Sequence, residues 1–265
     1  MHPMTFASAD FYRAFEDRFR GSRAEIKERL KAYLPFIQPL QEKCSSAAAL
    51  DLGCGRGEWL ELLTEHGFSA HGVDIDEGML SDCRRLGLKV HTADALAFLQ
   101  TLPDESQALV SGFHIAEHLP FDILQGLVCQ ALRVLLPGGL LILETPNPEN
   151  IAVGTASFYL DPTHQRPLPP PLLAFLTEFT GFRRQKILRL QESGELLRSG
   201  ASVTLLQVLS GVSPDYAVVA QKNGPMELFS ALDSAFSVDC GLTLDTLASL
   251  YQVQAETKAQ QAETK

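Results

Sequence analysis

The sequence is short of basic residues. It carries 22 Lys and Arg against 32 Asp and Glu, which gives a formal charge of -10 at pH 7. A surface that binds nucleic acid needs clustered Lys and Arg, because these side chains neutralise the phosphates. The charge balance therefore argues against a nucleic-acid partner and favours a small or uncharged acceptor molecule.

Paired cysteines are also missing. The five cysteines form no CxxC pair and no spacing typical of a metal site: Cys44, Cys54, Cys83, Cys129 and Cys240. Reduced thiols are the simplest interpretation of such a pattern. We therefore expect no disulfide framework and no bound metal.

Long apolar runs are absent as well. The longest, at about residues 132–143, is broken by Pro137 and two glycines, whereas a membrane-spanning helix needs about 20 apolar residues. The first residues do not combine a charged segment with an apolar core, as a signal peptide would. We expect a cytoplasmic protein without a membrane span, which a partner recruits peripherally to the inner membrane if it acts there.

The most informative stretch is an apolar run that leads into a glycine loop. Residues 47–52 are typical of a strand buried on both faces, residues 53–57 read Gly-Cys-Gly-Arg-Gly, and a helical pattern begins at Glu58. Glycines let a ligand approach the backbone, and a helix start offers unpaired N–H groups. A dinucleotide site has G-x-G-x-x-G instead. Here Asp51 precedes the loop, and its carboxylate would repel phosphate but suit an amine, so we expect a zwitterionic ligand.

Strand and helix patterns alternate after the loop. The predicted strands are 47–52, 69–74, 88–92, 108–113 and 140–144, and the predicted helices include 58–66, 77–86 and 121–135. Such alternation implies right-handed crossover units and a parallel sheet covered on both faces. The sequence therefore predicts a doubly wound, Rossmann-like α/β fold.

Four short motifs follow one another along the chain, each at the end or the start of a predicted strand. They are the glycine loop, Val73-Asp74 at the end of the second strand, Ala93-Asp94-Ala95, and Pro137-Gly138-Gly139 before the fifth strand. Together they resemble the successive motifs of class I S-adenosylmethionine-dependent methyltransferases, over about residues 50–222. The resemblance implies S-adenosylmethionine as cofactor and a seven-stranded sheet that is parallel except for an antiparallel edge strand, with the last two strands at 183–190 and 216–221.

The resemblance also assigns cofactor contacts. Asp74, about 20 residues beyond the loop, stands where an acidic residue accepts the ribose hydroxyls. By resemblance, Asp94 accepts from the adenine amine and Ala95 offers its N–H, while Met79 packs either on adenine or in the core. The full predicted cofactor set is Arg20, Asp51, Gly53, Cys54, Gly55, Asp74, Ile75, Met79, Asp94 and Ala95.

An amphipathic helical region is predicted before the sheet, at residues 11–34, with a break at Gly21 and Ser22 as an N-cap. In many class I methyltransferases such a segment covers the cofactor as a lid. Arg20 would then pair with the cofactor carboxylate. The alternative is that Arg20 is a solvated cation at a helix end.

Candidate catalytic residues follow the fourth strand. Residues 114–119 leave its carboxyl end, where open α/β sheets bind ligands. Methyl transfer is an in-line displacement, so the protein must align the acceptor and, for a hydroxyl, supply a base. His118, His114 and Glu117 are the candidates. The alternative is that Glu117 and His118 only hydrogen-bond to nearby backbone.

The proline-rich stretch 144–170 is the least generic part of the chain. Its polar residues Tyr159, Asp161, His164 and Arg166 are predicted to form an acceptor wall; in the alternative, these groups only satisfy one another. With residues 15–22, the stretch resembles the methyltransferase domain of bacterial O-antigen chain-terminating enzymes. That resemblance implies a lipopolysaccharide glycan end as acceptor, at a sugar hydroxyl or at a phosphate, which is already anionic and needs no base. A quinone-precursor-like metabolite is the alternative acceptor.

The chain divides into three predicted parts. Residues 1–40 form the helical lid, 41–223 the S-adenosylmethionine-binding domain, and 224–265 a helical tail split at Gly241. A seven-residue repeat at 255–258 and 262–265 is too short to specify a coiled coil, though the resemblance favours the start of a longer one. Such a tail would make an oligomer or recruit a membrane-associated glycan polymerase. A function of another class is a non-catalytic module that binds the cofactor and recruits the polymerase.

Overall fold

The chain forms one mixed β-sheet flanked by helices. The computed structural model describes residues 18, 21–44, 46–198 and 202–263. Within them, the strands are β1 Ala48–Leu52, β2 Ser69–Asp74, β3 Lys89–Thr92, β4 Gln107–Phe113, β5 Leu135–Pro146, β6 Arg184–Leu190 and β7 Asp215–Gln221. Their order in the sheet is β3-β2-β1-β4-β5-β7-β6.

The sheet is parallel from β3 to β5 and reverses at β7. Pro146 at the end of β5 pairs with Asp215 at the start of β7, and β6 pairs antiparallel with the other side of β7. The predicted Rossmann-like, seven-stranded sheet with an antiparallel edge is confirmed. The antiparallel strand is β7, and β6 is the last strand beyond it. The carboxyl ends of β1, β2, β4 and β5 therefore meet the amino end of β7.

Helices cover both faces of the sheet. They are α1 Arg23–Leu30, α2 Leu34–Lys43, α3 Glu58–Glu65, α4 Glu77–Arg85, α5 Ala95–Thr101, α6 Phe121–Val134, α7 Ile151–Thr155, α8 Pro170–Thr180, α9 Leu205–Ser210, α10 Met226–Ser237 and α11 Leu244–Glu263. The predicted N-cap Ser22 is confirmed. Its hydroxyl accepts from the Glu25 N–H, and the Glu25 carboxylate accepts from the Ser22 N–H, which is a capping box.

Two apolar layers sandwich the sheet because successive side chains of a strand point to opposite faces. Ala49 joins the layer that contains Phe36 and Leu232, whereas Leu50 joins the layer that contains Leu127. The first layer unites helices from both flanking segments, since α2 and α10 pack together with the Phe36 and Phe236 ring centres 5.5 Å apart.

The motif Pro137-Gly138-Gly139 differs from the turn expected before the fifth strand. It lies inside β5, at a register shift where the partner of Gln107 is Leu135 and the partner of Leu109 is Leu140. Gly138 takes a φ of +82°, which a residue with a side chain rarely adopts. The motif therefore forms a bulge within β5, because the residues on both sides of it stay paired with β4.

None of the described helices has both the length and the apolar composition that a membrane-crossing helix requires.

Candidate active site

The glycine loop lies across the carboxyl ends of β1 and β2. Gly53, Gly55 and Gly57 all take positive φ angles, from +51° to +78°. The N–H groups of Gly53 and Cys54 both donate to the Val73 carbonyl, at 2.8 and 3.1 Å. A side chain at Gly53 would meet the Ile115 methyl at 3.2 Å. The loop is therefore a tight backbone cradle at the edge where parallel strands end.

Asp74 is held beside this cradle. Its Oδ2 accepts from the Gly55 N–H and its Oδ1 from the Asp76 N–H, both at 2.8 Å. Each carboxylate oxygen can accept a further hydrogen bond. The neighbouring Ile75 side chain is 78% exposed. An acceptor pair beside an exposed apolar side chain fits a ribose carrying a planar base.

A buried polar chain supports the cradle from below. The Trp59 indole N–H donates to the Ser111 hydroxyl at 2.9 Å, and that hydroxyl donates to Asp51 Oδ1 at 2.8 Å. Asp51 is only 2% exposed. The chain holds the Asp51 carboxylate in one orientation directly before the loop.

The predicted adenine contacts lie at the next strand end. Asp94 caps α5, since its Oδ1 accepts from the Ala97 N–H at 2.8 Å. Ala95 is the first residue of that helix, and Met79 is largely buried on α4. Their contacts with adenine stay a prediction. Arg20 lies outside the described residues.

His114 lies among three carboxylates at the ends of β4, β5 and β7. Its Nδ1 is 3.1 Å from Glu117 Oε1, and its Nε2 is 3.5 Å from Glu144 Oε1. Asp215 belongs to the same group of side chains, and the Tyr33 hydroxyl donates to Glu144. His114 has a φ of +54°, a conformation that is uncommon for a residue with a side chain and is concentrated at functional sites.

The carboxylates decide the charge of His114. Burial by itself would lower the pKa of His114, but hydrogen bonds to Glu117 and Glu144 outweigh it and raise that pKa well above its usual value. Burial raises the pKa of Asp215 to about 7; His114 opposes this shift, and Glu144 and Glu117 add to it. A protonated His114 has no lone pair to accept a proton, so it is poorly suited to act as a base.

His118 has the opposite character. Burial lowers its pKa, because the charged ring would lose water contacts. Its Nδ1 lies 2.9 Å from the Thr163 hydroxyl, and its ring is 4.6 Å, centre to centre, from that of His164. The buried Glu117 completes this group, which we call the His118 cluster: Glu117, His118 and His164.

The predicted acceptor residues divide into two groups. Asp161 and His164 lie beside His118, with Asp161 Oδ1 accepting from the Thr163 hydroxyl at 2.6 Å. Tyr159 is 63% exposed, and the Arg166 guanidinium lies 4.5 Å from the centre of the Phe121 ring. The structure therefore brings two of the four to the histidines, while Arg166 packs on α6.

A cavity of about 220 Å³ separates the two histidine groups. It is lined by Pro146, Val153, Ser157, Phe158, His164, Pro214 and Asp215. It thus reaches from the His118 cluster to the acidic group around His114, at the edge of the sheet that also carries the glycine loop. This cavity is the candidate acceptor site.

Comparison with known proteins agrees with this geometry. Residues 49–139 match a family described as a methyltransferase domain. A protein of Mycolicibacterium smegmatis, named a probable S-adenosylmethionine-dependent methyltransferase, is 31% identical over 180 residues, 66% of this chain and 69% of the relative. The chain belongs to the S-adenosylmethionine-dependent methyltransferases. S-adenosylmethionine is accordingly the methyl donor.

Two further relatives bear on the fold and on the acceptor. The crystal structure of a SAM-dependent methyltransferase from Archaeoglobus fulgidus is 34% identical, with a TM-score of 0.71 over 80% of this chain and all of that one. The ubiquinone biosynthesis O-methyltransferase of Methylococcus capsulatus is 35% identical over 122 residues, 43% of this chain and 49% of that relative. The Archaeoglobus fulgidus structure supports the fold over most of this chain. The match to the Methylococcus capsulatus enzyme spans only about half of that enzyme.

Sequence patterns alone do not select several residues that the methyltransferase places at this edge. Glu144 and Asp215 complete the group around His114, and Ser111 and Trp59 hold Asp51. Two signals point to them. Ser111 is a polar residue within an otherwise apolar strand pattern, and the first residue of an antiparallel strand lies where its parallel neighbour ends.

Proposed function

We propose that this methyltransferase methylates a hydroxyl oxygen, and that its acceptor is the terminal sugar hydroxyl of a bacterial surface glycan, as in O-antigen chain termination. The observation that carries the proposal is His118, a histidine whose lowered pKa keeps it neutral near pH 7. Its ring lies 4.6 Å from that of His164, which lines a cavity at the carboxyl end of β5. A hydroxyl acceptor needs such a base, whereas an anionic acceptor does not.

The chemistry assigns a role to each group. When bound, S-adenosylmethionine supplies a methyl group whose C–S bond breaks, leaving its electron pair on sulfur, as the bond to the acceptor oxygen forms. Asp74 and the glycine loop bind the donor. His118 takes the hydroxyl proton on Nε2, because its Nδ1 contacts Thr163. His164, which lines the cavity, orients the acceptor together with Asp161, whose Oδ2 is 3.8 Å from His164 Nε2.

The surroundings favour a hydroxyl over a terminal phosphate. The buried carboxylates of Glu117 and Glu144 would repel a phosphate, because a buried like charge is costly. Arg166, the cation of the predicted acceptor wall, packs on Phe121. The phosphate-capped glycan is therefore the weaker form of the glycan proposal.

A quinone-precursor phenol is the second candidate acceptor. The specific observation in its favour is the resemblance to the Methylococcus capsulatus ubiquinone biosynthesis O-methyltransferase. A phenolic hydroxyl would use the same base. The glycan has the support of the proline-rich stretch 144–170, and the two acceptors differ strongly in polarity, so an assay separates them.

We also propose that α11 serves assembly. It runs without interruption from Leu244 to Glu263, and apolar Leu250 and Val253 on it are 40% and 60% exposed. Exposed apolar side chains on a long helix support pairing with a second helix, either in an oligomer or on a membrane-associated glycan polymerase at the cytoplasmic face.

The test is a methyl-transfer assay with labelled donor on four acceptors: a glycan fragment ending in a free sugar hydroxyl, the same fragment ending in phosphate, a polyprenyl benzenediol, and buffer. We expect label in the hydroxyl-ended glycan, and kcat/KM that rises with pH through an apparent pKa below about 6.5 and then levels off. His118→Gln should lower kcat at least about 100-fold, while the exposed His91→Gln leaves it unchanged.

Each other outcome has a meaning. Label only in the benzenediol would replace the glycan with the metabolite, and label only in the phosphate would overturn the base role of His118. No transfer to any acceptor, together with tight binding of a polymerase, would favour the non-catalytic module.

A further inference from the structure

The His118 cluster joins two segments that are far apart in the sequence. Glu117 and His118 follow β4, and His164 belongs to the loop before α8. One ligand atom from each side chain lies within 4.8 Å of the other two. Two imidazoles and a carboxylate are the donor set that binds zinc and other first-row divalent cations in proteins.

The hydrogen bonds determine which ring atoms carry protons. The Thr163 hydroxyl has one proton and donates it to the Asp161 carboxylate at 2.6 Å, so it accepts from the Nδ1–H of His118. His164 Nδ1 lies 2.6 Å from the Phe158 carbonyl and donates to it. In the neutral rings, both Nε2 atoms therefore carry lone pairs.

This arrangement is the one that supports metal-binding histidines. A histidine ligand usually donates its second ring N–H to a carbonyl, carboxylate or other acceptor, which fixes the tautomer and orients the ring. His164 uses a backbone carbonyl for this purpose, and His118 uses the hydroxyl of Thr163, which Asp161 in turn orients. The supporting contacts of a metal site are thus present for both histidines.

The lone pair of His164 faces another acceptor. His164 Nε2 is 3.8 Å from Asp161 Oδ2, and Glu117 is a fully buried carboxylate that receives bonds from Thr145 and His114. Across residues 21–44, 46–198 and 202–263, no hydrogen bond joins Glu117, His118 and His164 to one another. Acceptors that converge without a proton between them repel, and a cation among them removes that repulsion.

We propose that Glu117, His118 and His164 bind a first-row divalent cation, of which Zn²⁺ and Mn²⁺ are the candidates, and that Asp161 lies near enough to assist. Ligand atoms about 2.0 to 2.2 Å from one ion lie roughly 3 to 4 Å apart. Because the three ligand atoms already lie within 4.8 Å, side-chain shifts of about 1 Å complete the site.

With the cation bound, Nε2 of His118 is a ligand and does not accept a proton, so the cation takes over the ionisation of the hydroxyl, a role that rests on the proposed function. A divalent cation lowers the pKa of a hydroxyl that it contacts, so the proton leaves to bulk water and the imidazole is not needed to accept it. It also holds two adjacent oxygens of a vicinal diol at fixed positions. The sequence, in contrast, predicts no metal, because its five cysteines show no spacing typical of a metal site.

Metal binding is tested on the full chain without any acceptor. The protein is treated with a chelator, desalted and titrated with ZnCl₂ in a calorimeter, and with CoCl₂ while visible absorption is followed. We expect one equivalent to bind, and His118→Gln and His164→Gln each to weaken binding at least about 100-fold, since each removes one ligand. His91→Gln is the matched control and should bind as wild type does, and circular dichroism verifies that each variant is folded.

Two results would overturn the site. One is the absence of stoichiometric binding by the folded wild type. The other is binding that survives both histidine substitutions but is lost in Glu144→Gln, which would place the ion in the group of His114, Glu144 and Asp215.

The same preparations separate this inference from the proposed function. Metal binding without methyl transfer to any hydroxyl would leave the site intact and refute the proposed acceptor. Transfer to a hydroxyl at an unchanged rate, by protein that binds no metal, would refute the site and keep the function. Transfer that falls at least about tenfold on chelation and returns with Zn²⁺ or Mn²⁺ supports both.

Discussion

Asp215→Asn should make the methyltransferase more stable at alkaline pH relative to wild type. Asp215 shares its surroundings with Glu144 and Glu117, and burial together with these carboxylates raises its pKa from 3.8 to about 7, against the attraction of His114. The folded chain therefore keeps a proton at Asp215 that the unfolded chain releases. The free energy of unfolding must fall as pH rises from about 4 to about 7.

The size of the effect follows from that window. One pKa unit corresponds to about 1.36 kcal/mol, so the two units between about pH 5 and pH 7 are worth at most about 3 kcal/mol. Part of this belongs to His114, whose charge acts on Asp215. We expect the stability difference between Asp215→Asn and wild type to grow by about 1 to 2 kcal/mol between about pH 5 and pH 8.

The assay is urea unfolding of both proteins across this pH range. Asp122→Asn, which removes an exposed carboxylate on α6, is the control and should show a constant difference. The difference between the two curves is read, and it includes the response of His114, whose pKa Asp215 helps to raise. A flat difference for Asp215→Asn, or one that favours wild type increasingly as pH rises, would mean that Asp215 is an ordinary ion-pair partner of His114.

Two further changes test other parts of the structure. Asp74→Ala should weaken S-adenosylmethionine binding in a calorimeter by about 10- to 100-fold, because it removes the predicted ribose acceptor and the bond that holds the Gly55 N–H. Ser22→Ala should lower the free energy of unfolding by about 1 kcal/mol, because the capping box with Glu25 is lost.

Each of these has a control on the same fold. Asp82→Ala removes a partly exposed carboxylate of α4 that pairs with Arg85, and it should leave the cofactor affinity as it is. Ser234→Ala changes an exposed serine inside α10 and should not destabilise the protein. An unchanged affinity in Asp74→Ala would refute the ribose assignment, and equal stabilities for both serine variants would refute the cap.

The arrangement around the glycine loop was predictable because it follows from strand order. Parallel strands end at one edge, so the acid at the end of β2 had to lie beside the loop after β1, and Asp74 does bind the Gly55 N–H. The alternation of apolar residues likewise predicted the crossover units and both layers of the core. Local patterns carry this information, because each crossover spans few residues.

The acceptor side was less predictable because distant contacts shape it. The path of the loop after β5 depends on Asn147 and Asn150, whose amides donate to the backbone carbonyls of Ser213 and Val212. No local pattern shows which carbonyls these amides will meet. His164 reaches His118 only as a result of that path, so the sequence identified both histidines without showing that they lie together.

The packing of α2 on α10 has a practical consequence for any attempt to shorten the chain. The two helices come from opposite ends of the sequence, yet Phe36, Ile37 and Leu232 share one buried layer with the sheet. A fragment limited to residues 41–223 would open that layer to water over the breadth of two helices. Such a fragment would tend to aggregate, whereas one that spans 21–247 retains this layer and also the smaller apolar cluster that Leu242 and Leu247 complete.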